Sequence, residues 1–210
     1  MSPAQGLEQQ IRAELLELGT ATLYEAGGRD LDLDPALRAL WPGAKVCGPA
    51  LTVRTGVADN LALHRAVAEP HPGCVMVVDG QQAACGYWGE VLTVAAQLAG
   101  ITGLVIDGGV RDVEQLRQRD FGSFSRHRSI RRTIKHDPGE LGGEISIGGR
   151  LVRNGDIVVG DDDGLLVIPA GSLAETLVAA RRRAAAELGY FERIAAGEAT
   201  LDIYGFRQLI

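Results

Sequence analysis

The spacing of apolar residues divides the chain into a helical start, a centre of alternating strands and helices, and a strand-rich second half. Near the N-terminus, apolar residues recur at helical spacing at Leu7, Ile11, Leu15 and Leu18. Gly19 follows as a typical helix end, and residues 20–26 predict a second short helix. Residues 29–43 are rich in Asp, Pro and Gly and predict a long irregular connection.

The centre of the chain has the pattern of βαβ units. Strands are predicted over residues 50–55, 74–78 and 104–106, and helices over residues 60–68, 90–98 and 113–117. The two continuous apolar runs end in Asp79-Gly80 and in Asp107-Gly108-Gly109, respectively. Buried strands that alternate with helices predict a parallel sheet.

Beyond residue 124 the pattern changes to short apolar segments separated by Gly-Gly, Asn-Gly and Asp-Gly. Such turns predict strands and hairpins, here over residues 144–147, 151–152, 157–159 and 165–168. Residues 172–195 then predict one long helix, and a tail follows it. The whole pattern predicts one α/β domain over residues 1–210, in which residues 170–210 form a C-terminal helical arm.

Composition and charge exclude several classes of protein. The 210 residues are 46% hydrophobic and 23% charged, which is ordinary globular usage and argues against a disordered chain. A net charge of −6 argues against non-specific nucleic-acid binding. Because no apolar run reaches membrane-spanning length and the N-terminus does not resemble a signal peptide, we expect a cytoplasmic protein without a nucleic-acid or membrane partner.

Candidate chemistry lies where the two central strands end. The carboxyl ends of neighbouring parallel strands meet at one rim, where ligands bind in open α/β sheets. Charged residues expected at this rim are Asp79, Glu90, Asp107, Asp112 and Arg111. Carboxylates suit Mg²⁺ or Mn²⁺, and a guanidinium clamps a carboxylate through two hydrogen bonds. Alternatively, the acids complement helix dipoles and the arginine forms a surface ion pair.

Two other polar segments carry weaker signals. The stretch 126–135 holds four arginines and one lysine. This basic charge predicts either contact with an anionic substrate or RNA, or a solvated strand face. The run Gly-Asp-Asp-Asp-Gly at 160–164 lacks the EF-hand pattern and predicts an acidic hairpin turn. The four histidines, His64 among them, have no metal-ligand spacing.

Several segments together resemble a known family. They are LGTATLYEA (18–26), GPALTVRTGVADN (48–60), CVMVVDG (74–80), GYWGEVL (86–92), GLVIDGGVRD (103–112), GDDDGLLVIP (160–169) and GEATLDIYG (197–205). The sequence resembles the RraA-like family, and within it the class II pyruvate aldolases that act on 4-hydroxy-4-methyl-2-oxoglutarate and 4-carboxy-4-hydroxy-2-oxoadipate. This resemblance implies an α-β-β sandwich of the swivelling-domain type.

The resemblance also implies a set of site residues. The aldolases of the family carry an acidic residue, twenty further residues and then Arg-Asp; here Glu90 precedes Arg111-Asp112 by that interval. By resemblance, Asp112 is the direct ligand of Mg²⁺ or Mn²⁺, Glu90 holds water at the metal, and Arg111 binds the pyruvyl unit. The substrate carboxylate would be received by the backbone around Gly89, Val91 and Leu92. Glu187 would reach the site from a neighbouring subunit.

The implied function is that of a carbon–carbon lyase. The resemblance predicts metal-dependent cleavage of a small 2-oxo acid to pyruvate, oxaloacetate decarboxylation, and assembly into a homotrimer or a hexamer of paired trimers. One departure is that the best-described aldolases have Asp where this chain has Glu90. The alternative is the family's non-catalytic branch, whose members inhibit ribonuclease E and generally lack the complete acid and Arg-Asp set.

Overall fold

In the computed structural model of the chain, the described backbone covers residues 3–28 and 30–210, and the described side chains cover residues 9–28 and 30–210. The helices are α1 (Pro3–Gly27), α2 (Leu61–Ala66), α3 (Glu90–Leu98), α4 (Val113–Gln118), α5 (Leu173–Ala195) and α6 (Thr200–Ile203). The strands are β1 (Arg38–Ala39), β2 (Val46–Arg54), β3 (Val75–Asp79), β4 (Gly86–Trp88), β5 (Gly103–Val110), β6 (Ser123–Arg128), β7 (Glu140–Leu141), β8 (Ile145–Ile147), β9 (Arg150–Val152), β10 (Ile157–Gly160) and β11 (Leu165–Ile168).

One mixed sheet organises the molecule, with the strand order β1-β6-β5-β3-β2-β10-β11. Its centre is parallel: β3 pairs with β2 and β5, and β5 also pairs with β6 and β4. The second half of the chain adds antiparallel strands, because β10 pairs with both β2 and β11. The predicted parallel centre and hairpin-rich second half are therefore confirmed.

The alternating residues of β3 face two different cores. Met76 and Val78 pack with the helix layer of α2, α3 and α4, in a cluster that includes Leu63 and Leu92. Residues 75 and 77 pack on the opposite face against the β8–β9 hairpin. A third cluster joins α1 and α5 to β10 and β11. Helix layer, sheet and smaller β layer form the predicted α-β-β sandwich, with α5 as its C-terminal helix.

The N-terminal helix changes direction at Gly19, as its sequence predicts. Gly19 has φ 75° and ψ 160°, a conformation that favours glycine, so the residues on either side form two helical segments. Asp161 stabilises the second segment: its carboxylate accepts a hydrogen bond from the Thr20 N–H at 2.8 Å and another from the Thr20 hydroxyl at 2.5 Å. The acidic run at 160–164 is thus a turn that caps a helix. The side chain of Leu7 lies outside the described residues.

Strand β5 is longer than predicted and continues through Asp107, Gly108 and Gly109. Instead of ending the strand, the two glycines let the segment that leads into β4 approach β5 closely. A Cβ on Gly109 would lie 2.4 Å from the carbonyl oxygen of Cys85, and Gly109 pairs with Gly86 of β4. This pairing places β4, and the residues that follow it, directly beside the end of β5.

Within the described residues, no helix combines the length and the apolar composition needed to cross a membrane.

Candidate functional site

The end of β4 and the end of β5 meet at one point, which brings Glu90 and Asp112 together. The Arg111 N–H donates to the Trp88 carbonyl at 2.9 Å, so the two chain segments run side by side. Asp112 then adopts the left-handed conformation, with φ 58° and ψ 37°, at the start of α4. Its Oδ2 accepts a hydrogen bond from the Glu90 N–H at 3.0 Å. The predicted pairing of these two loops is therefore present in the structure.

Gly89 makes this approach possible. A Cβ at this position would lie 2.4 Å from Oδ2 of Asp112 and 3.1 Å from Cγ of Arg111. The backbone of Gly89 is extended, with φ −166°, so its conformation does not demand glycine. The absence of a side chain at residue 89 is required because the Arg-Asp pair occupies the space.

A cavity of about 330 Å³ opens beside this junction. Its lining comprises Asn60, His64, Tyr87, Gly89, Val91, Leu92, Arg111, Arg132, Thr133 and Lys135. The volume falls at the lower end of the range for small-molecule sites, about 300–1,000 Å³. Four of the predicted site residues, Gly89, Val91, Leu92 and Arg111, thus lie around one cavity.

The first turn of α3 supplies hydrogen-bond donors to the cavity. The first intrahelical bond runs from the Thr93 N–H to the Gly89 carbonyl, and the Glu90 N–H is taken by Asp112. In the described part of the chain, this leaves the N–H groups of Val91 and Leu92 without an acceptor. Two such N–H groups, beside a guanidinium, form an arrangement that binds a carboxylate.

Arg111 and Asp112 are both accessible to a ligand. Their side chains are 47% and 39% exposed, and Nε of Arg111 lies 3.8 Å from Oδ2 of Asp112. This distance is too long for a hydrogen bond, and exposed pairs of this kind contribute little to stability. The surface ion pair that the sequence left open is present, and it leaves the guanidinium free to face the cavity.

The carboxylate of Glu90 is held by an arginine that the sequence analysis did not single out. Oε1 of Glu90 accepts hydrogen bonds from Nη2 of Arg119 at 2.7 Å and from Nε at 3.1 Å. Arg119 follows the last residue of α4, so the pair joins the start of α3 to the end of α4. Both bonds use Oε1; among the described residues, Oε2 has no hydrogen-bond donor.

Two of the acids expected at the rim have other roles. Asp107 is buried within β5, where its carboxylate binds Nε of Arg126 at 2.5 Å and accepts the Gly148 N–H at 3.3 Å. Its side chain therefore serves the β layer. Asp79 accepts the Gln81 N–H at 3.0 Å and pairs with Arg54. The expectation that these two carboxylates join the site is wrong, because each has a structural partner elsewhere.

Glu187 lies on α5, away from the cavity lining. It pairs with Arg183 at 3.1 Å, one helical turn before it, and α5 packs against α1. The single chain does not bring Glu187 to Arg111, so its predicted role requires a second subunit.

The oxygen donors at the junction fit a largely hydrated divalent cation. No group of three or more His, Cys, Asp or Glu side chains in the described residues forms a cluster able to hold a metal ion. Mg²⁺, however, usually keeps several waters and uses only one or two protein carboxylates. Asp112, with Oδ1 unengaged by the described residues, and Oε2 of Glu90 meet that requirement.

The structure adds cavity residues that sequence patterns did not reveal, among them Asn60 and Tyr87. Asn60 comes just before α2, in the segment predicted to be helix. Arg132 and Lys135 belong to the basic stretch 126–135, where contact with an anionic substrate was one of the alternatives. The signal for them was the basic charge itself, but residues 129–135 form no helix or strand from which the direction of a side chain follows.

Comparison with known proteins gives the family. Residues 20–167 match the family described as RraA-like: Aldolase/RraA. The chain belongs to the RraA-like family. The family resemblance stated from the sequence is thereby confirmed.

Individual relatives have different descriptions. A protein of Halalkalibacterium halodurans named "Putative 4-hydroxy-4-methyl-2-oxoglutarate aldolase" is 35% identical over 155 residues, which are 73% of this chain and 74% of the relative. Among solved structures, an uncharacterized protein from Pseudomonas syringae pv. tomato has a TM-score of 0.81 at 30% identity, covering 91% of each chain. The RNA-processing inhibitor RraA from Thermus thermophilis has a TM-score of 0.66 at 27% identity, covering 72% of this chain and 92% of that one.

Proposed function

We propose that this RraA-like protein is a carbon–carbon lyase that releases pyruvate from a 4-hydroxy-2-oxo acid, such as 4-hydroxy-4-methyl-2-oxoglutarate, and that also decarboxylates oxaloacetate. One observation carries the proposal: Arg111, Val91 and Leu92 line one cavity, and the carboxylate of Asp112 lies 3.8 Å from Nε of Arg111. This arrangement suits a 2-oxo carboxylate. The name of the 35% identical relative supports the same reaction.

Cleavage breaks the C3–C4 bond of the substrate and leaves a pyruvate enolate. The hydroxyl at C4 of the substrate loses its proton, the C3–C4 bond breaks, and C4 becomes a carbonyl. The electron pair of that bond passes to C3, C2 and the keto oxygen as a pyruvate enolate, which is then protonated at C3. Decarboxylation of oxaloacetate yields the same enolate, with CO₂ as the leaving group.

The chain's residues act on this enolate by binding and orientation. The N–H groups of Val91 and Leu92 hold the substrate carboxylate, which fixes the 2-oxo unit against Arg111. The guanidinium then faces the oxygen on which negative charge develops, so its attraction is strongest in the transition state. Oε2 of Glu90 orients a water that takes the hydroxyl proton, while Arg119 holds Oε1 in place.

A divalent cation is part of this proposal. Asp112 would be the direct protein ligand of Mg²⁺ or Mn²⁺, and Glu90 would contact its water shell. When bound there, the cation supplies Lewis-acid polarisation of the keto oxygen.

We further propose that the protein works as a homotrimer or a hexamer. The C-terminal arm exposes apolar side chains at Leu188, Phe191, Ile194, Leu209 and Ile210. Several large apolar side chains exposed along one segment are typical of protein–protein contact. A neighbouring arm is also the route by which Glu187 would reach the cavity.

The function is tested by coupled pyruvate detection with oxaloacetate and with 4-hydroxy-4-methyl-2-oxoglutarate. Excess chelator should abolish turnover, and Mg²⁺ or Mn²⁺ should restore it. Because free Mg²⁺ itself promotes loss of CO₂ from oxaloacetate, the matched control is the Asp112→Asn variant at the same metal concentration. Asparagine tolerates the left-handed backbone of residue 112, so this variant should fold but turn over at the background rate. Full activity in chelator would contradict the proposal.

The second candidate is a regulator without catalysis that binds a ribonuclease. The likeness to the Thermus RNA-processing inhibitor favours it. Under this alternative, no pyruvate forms from either substrate, and the purified chain slows RNA cleavage by an RNase E-type enzyme. The two functions therefore predict opposite outcomes in two simple assays.

A further inference from the structure

The proposed cleavage includes one proton transfer that none of the residues named so far performs. The pyruvate enolate takes up a proton at C3, whereas the water oriented by Glu90 acts at the C4 hydroxyl. With its carboxylate at Val91 and Leu92 and its keto oxygen facing Arg111, the pyruvyl unit has C3 at its other end. The proton donor for C3 must therefore lie elsewhere in the lining of the cavity.

Helix α2 presents His64 to this cavity. His64 follows Asn60 by four residues, so the two side chains lie on one face at the start of the helix. Nδ2 of Asn60 donates to the Tyr87 carbonyl at 2.9 Å, and this contact holds the face against β4. Gly89, directly after β4, and Arg111 line the same cavity as His64. His64 thus shares one cavity with the residues proposed to bind the pyruvyl unit.

The imidazole of His64 is available to a ligand. The residue is only partly buried, and among the described residues its ring nitrogens have no hydrogen-bond partner and no carboxylate partner. His127 differs, because its Nε2 lies 3.1 Å from the carbonyl oxygen of Gln82. A histidine that lines a cavity without a structural partner is suited to proton transfer.

His64 is uncharged at neutral pH. Burial, and secondarily the positive charge of Lys135, lowers the pKa of its imidazole. One ring nitrogen therefore has a free lone pair that can accept a proton from carbon. Because Lys135 lines the same cavity, a bound anion offsets its charge, and the imidazolium forms more readily when the cavity holds an enolate.

No other described side chain in the lining is able both to accept and to donate a proton near neutral pH. The lining contains three cations, which are already protonated, and one amide and one aliphatic hydroxyl, which do not ionise. The hydroxyl of Tyr87 donates to the Gly80 carbonyl at 3.1 Å and accepts the Ala58 N–H at 2.6 Å, and burial raises its pKa. His64 is the group that remains.

We propose that His64 transfers the proton to and from C3 of the pyruvyl unit. In cleavage, the imidazolium donates its N–H proton to C3, the electron pair of the enolate forms the new C3–H bond, and the ring returns to neutral imidazole. The ring takes its proton from solvent, to which the water at Glu90 releases the hydroxyl proton. In the reverse direction, neutral imidazole removes a proton from C3 of pyruvate and leaves the enolate. This inference rests on the proposed function for the orientation of the pyruvyl unit.

Exchange of the C3 protons of pyruvate for deuterium tests this step without any need for cleavage. Proton NMR follows the methyl signal of pyruvate in D₂O with Mg²⁺, and a sample without protein gives the background. The parent should exchange the protons faster than the background. His64→Gln should lose about 100-fold or more of the protein-dependent rate, which is the size of a general acid–base contribution.

The matched control is His71→Gln, which changes a histidine outside the cavity lining and should behave like the parent. Protein-dependent exchange in His64→Gln within about threefold of the parent would overturn the assignment. A parent that exchanges the protons no faster than the background would overturn it as well.

Two measurements separate proton transfer from a structural effect. Oxalate is a planar dianion that resembles the enolate, and with Mg²⁺ present its affinity for His64→Gln should stay within about threefold of that for the parent. Imidazole added to His64→Ala should raise the protein-dependent exchange about tenfold or more, after exchange by imidazole alone is subtracted. A loss of oxalate affinity as large as the loss of exchange would indicate a structural role and refute the proposal.

The outcomes also separate this inference from the proposed function. If the parent exchanges the protons through His64 but makes no pyruvate from either substrate, the lyase fails and the assignment of His64 stands. If the parent makes pyruvate but His64→Gln exchanges the protons like the parent, the assignment fails and the lyase stands.

Discussion

Replacing Gly89 with alanine tests whether the placement of Arg111 and Asp112 matters. The new Cβ would lie 2.4 Å from Oδ2 of Asp112, whereas ordinary contacts begin at 3.4 Å. The carboxylate of Asp112 must therefore move by about 1 Å. A displacement of about 1 Å at a reacting group commonly lowers the rate about 100-fold. The backbone itself accepts alanine, because its φ is −166°.

The effect on stability should be small, because two contributions oppose each other. Displacing Asp112 weakens its 3.0 Å bond from the Glu90 N–H, which costs about 0.5–1.5 kcal/mol. Removing a glycine reduces the freedom of the unfolded chain and contributes about 0.4–1 kcal/mol in the other direction. The free energy of unfolding should therefore change by less than about 1 kcal/mol.

The assay is kcat/KM for pyruvate release, measured beside urea unfolding. We expect Gly89→Ala to lose about 100-fold in kcat/KM while its unfolding midpoint stays close to that of the parent. Gly143→Ala is the matched control, since a Cβ there meets no atom within 4 Å and its backbone has no positive φ. A Gly89→Ala protein with kcat/KM within about threefold of the parent would refute the reasoning.

Two further predictions concern stability. Asp107→Ala should lower the free energy of unfolding, measured by urea denaturation, by about 3 kcal/mol, because it removes the buried partner of Arg126. Asp34→Ala removes the more exposed partner of Arg126 and should cost less. A larger loss for Asp34→Ala than for Asp107→Ala would contradict this prediction. Burial raises the pKa of Asp59, but hydrogen bonds from the backbone N–H groups of residues 61, 136 and 137 together lower it by more than burial raises it. The net shift of the pKa is therefore downward. The stability that Asp59 supplies is then fully present above its ordinary pKa of about 3.9 and is lost as the pH falls through its lower folded pKa. As the pH is lowered through this range, the urea midpoint should fall more in the parent than in Asp59→Asn. Equal pH dependence of the midpoint in the two proteins would contradict this prediction.

The sequence predicts best those elements whose apolar pattern is unambiguous. Helix α3 begins and ends at the predicted residues, and β3 differs from its prediction by one residue at each end. Both elements were predicted from apolar spacing, which depends only on the local sequence. The pairing of Glu90 with Arg111 and Asp112 followed from the rule that parallel strands end at one rim.

What the sequence did not reveal depends on contacts between distant segments. Asp107 has the same local pattern as Asp79 at a strand end, yet its partner Arg126 lies on the neighbouring strand, nineteen residues later. The Asp-Gly-Gly run at 107–109 normally indicates a turn; here the missing side chains let β4 pair with β5. The direction of Lys135 depends on a loop without periodicity, which is fixed by backbone bonds to residues 58 and 60.

The most direct test of the lyase account is kcat/KM of the Arg111→Lys variant with oxaloacetate and Mg²⁺. Lysine keeps the positive charge but loses the planar fork that binds a carboxylate and an enolate together. We expect a loss of about 2–4 kcal/mol in transition-state stabilisation, or roughly 30- to 1,000-fold in kcat/KM. Metal affinity should change little, because Asp112 is the proposed ligand. Arg117→Lys, an exposed arginine on α4 paired with Glu114, serves as the control and should behave like the parent. An Arg111→Lys protein within about threefold of the parent would reduce Arg111 to a surface ion pair and contradict the lyase account.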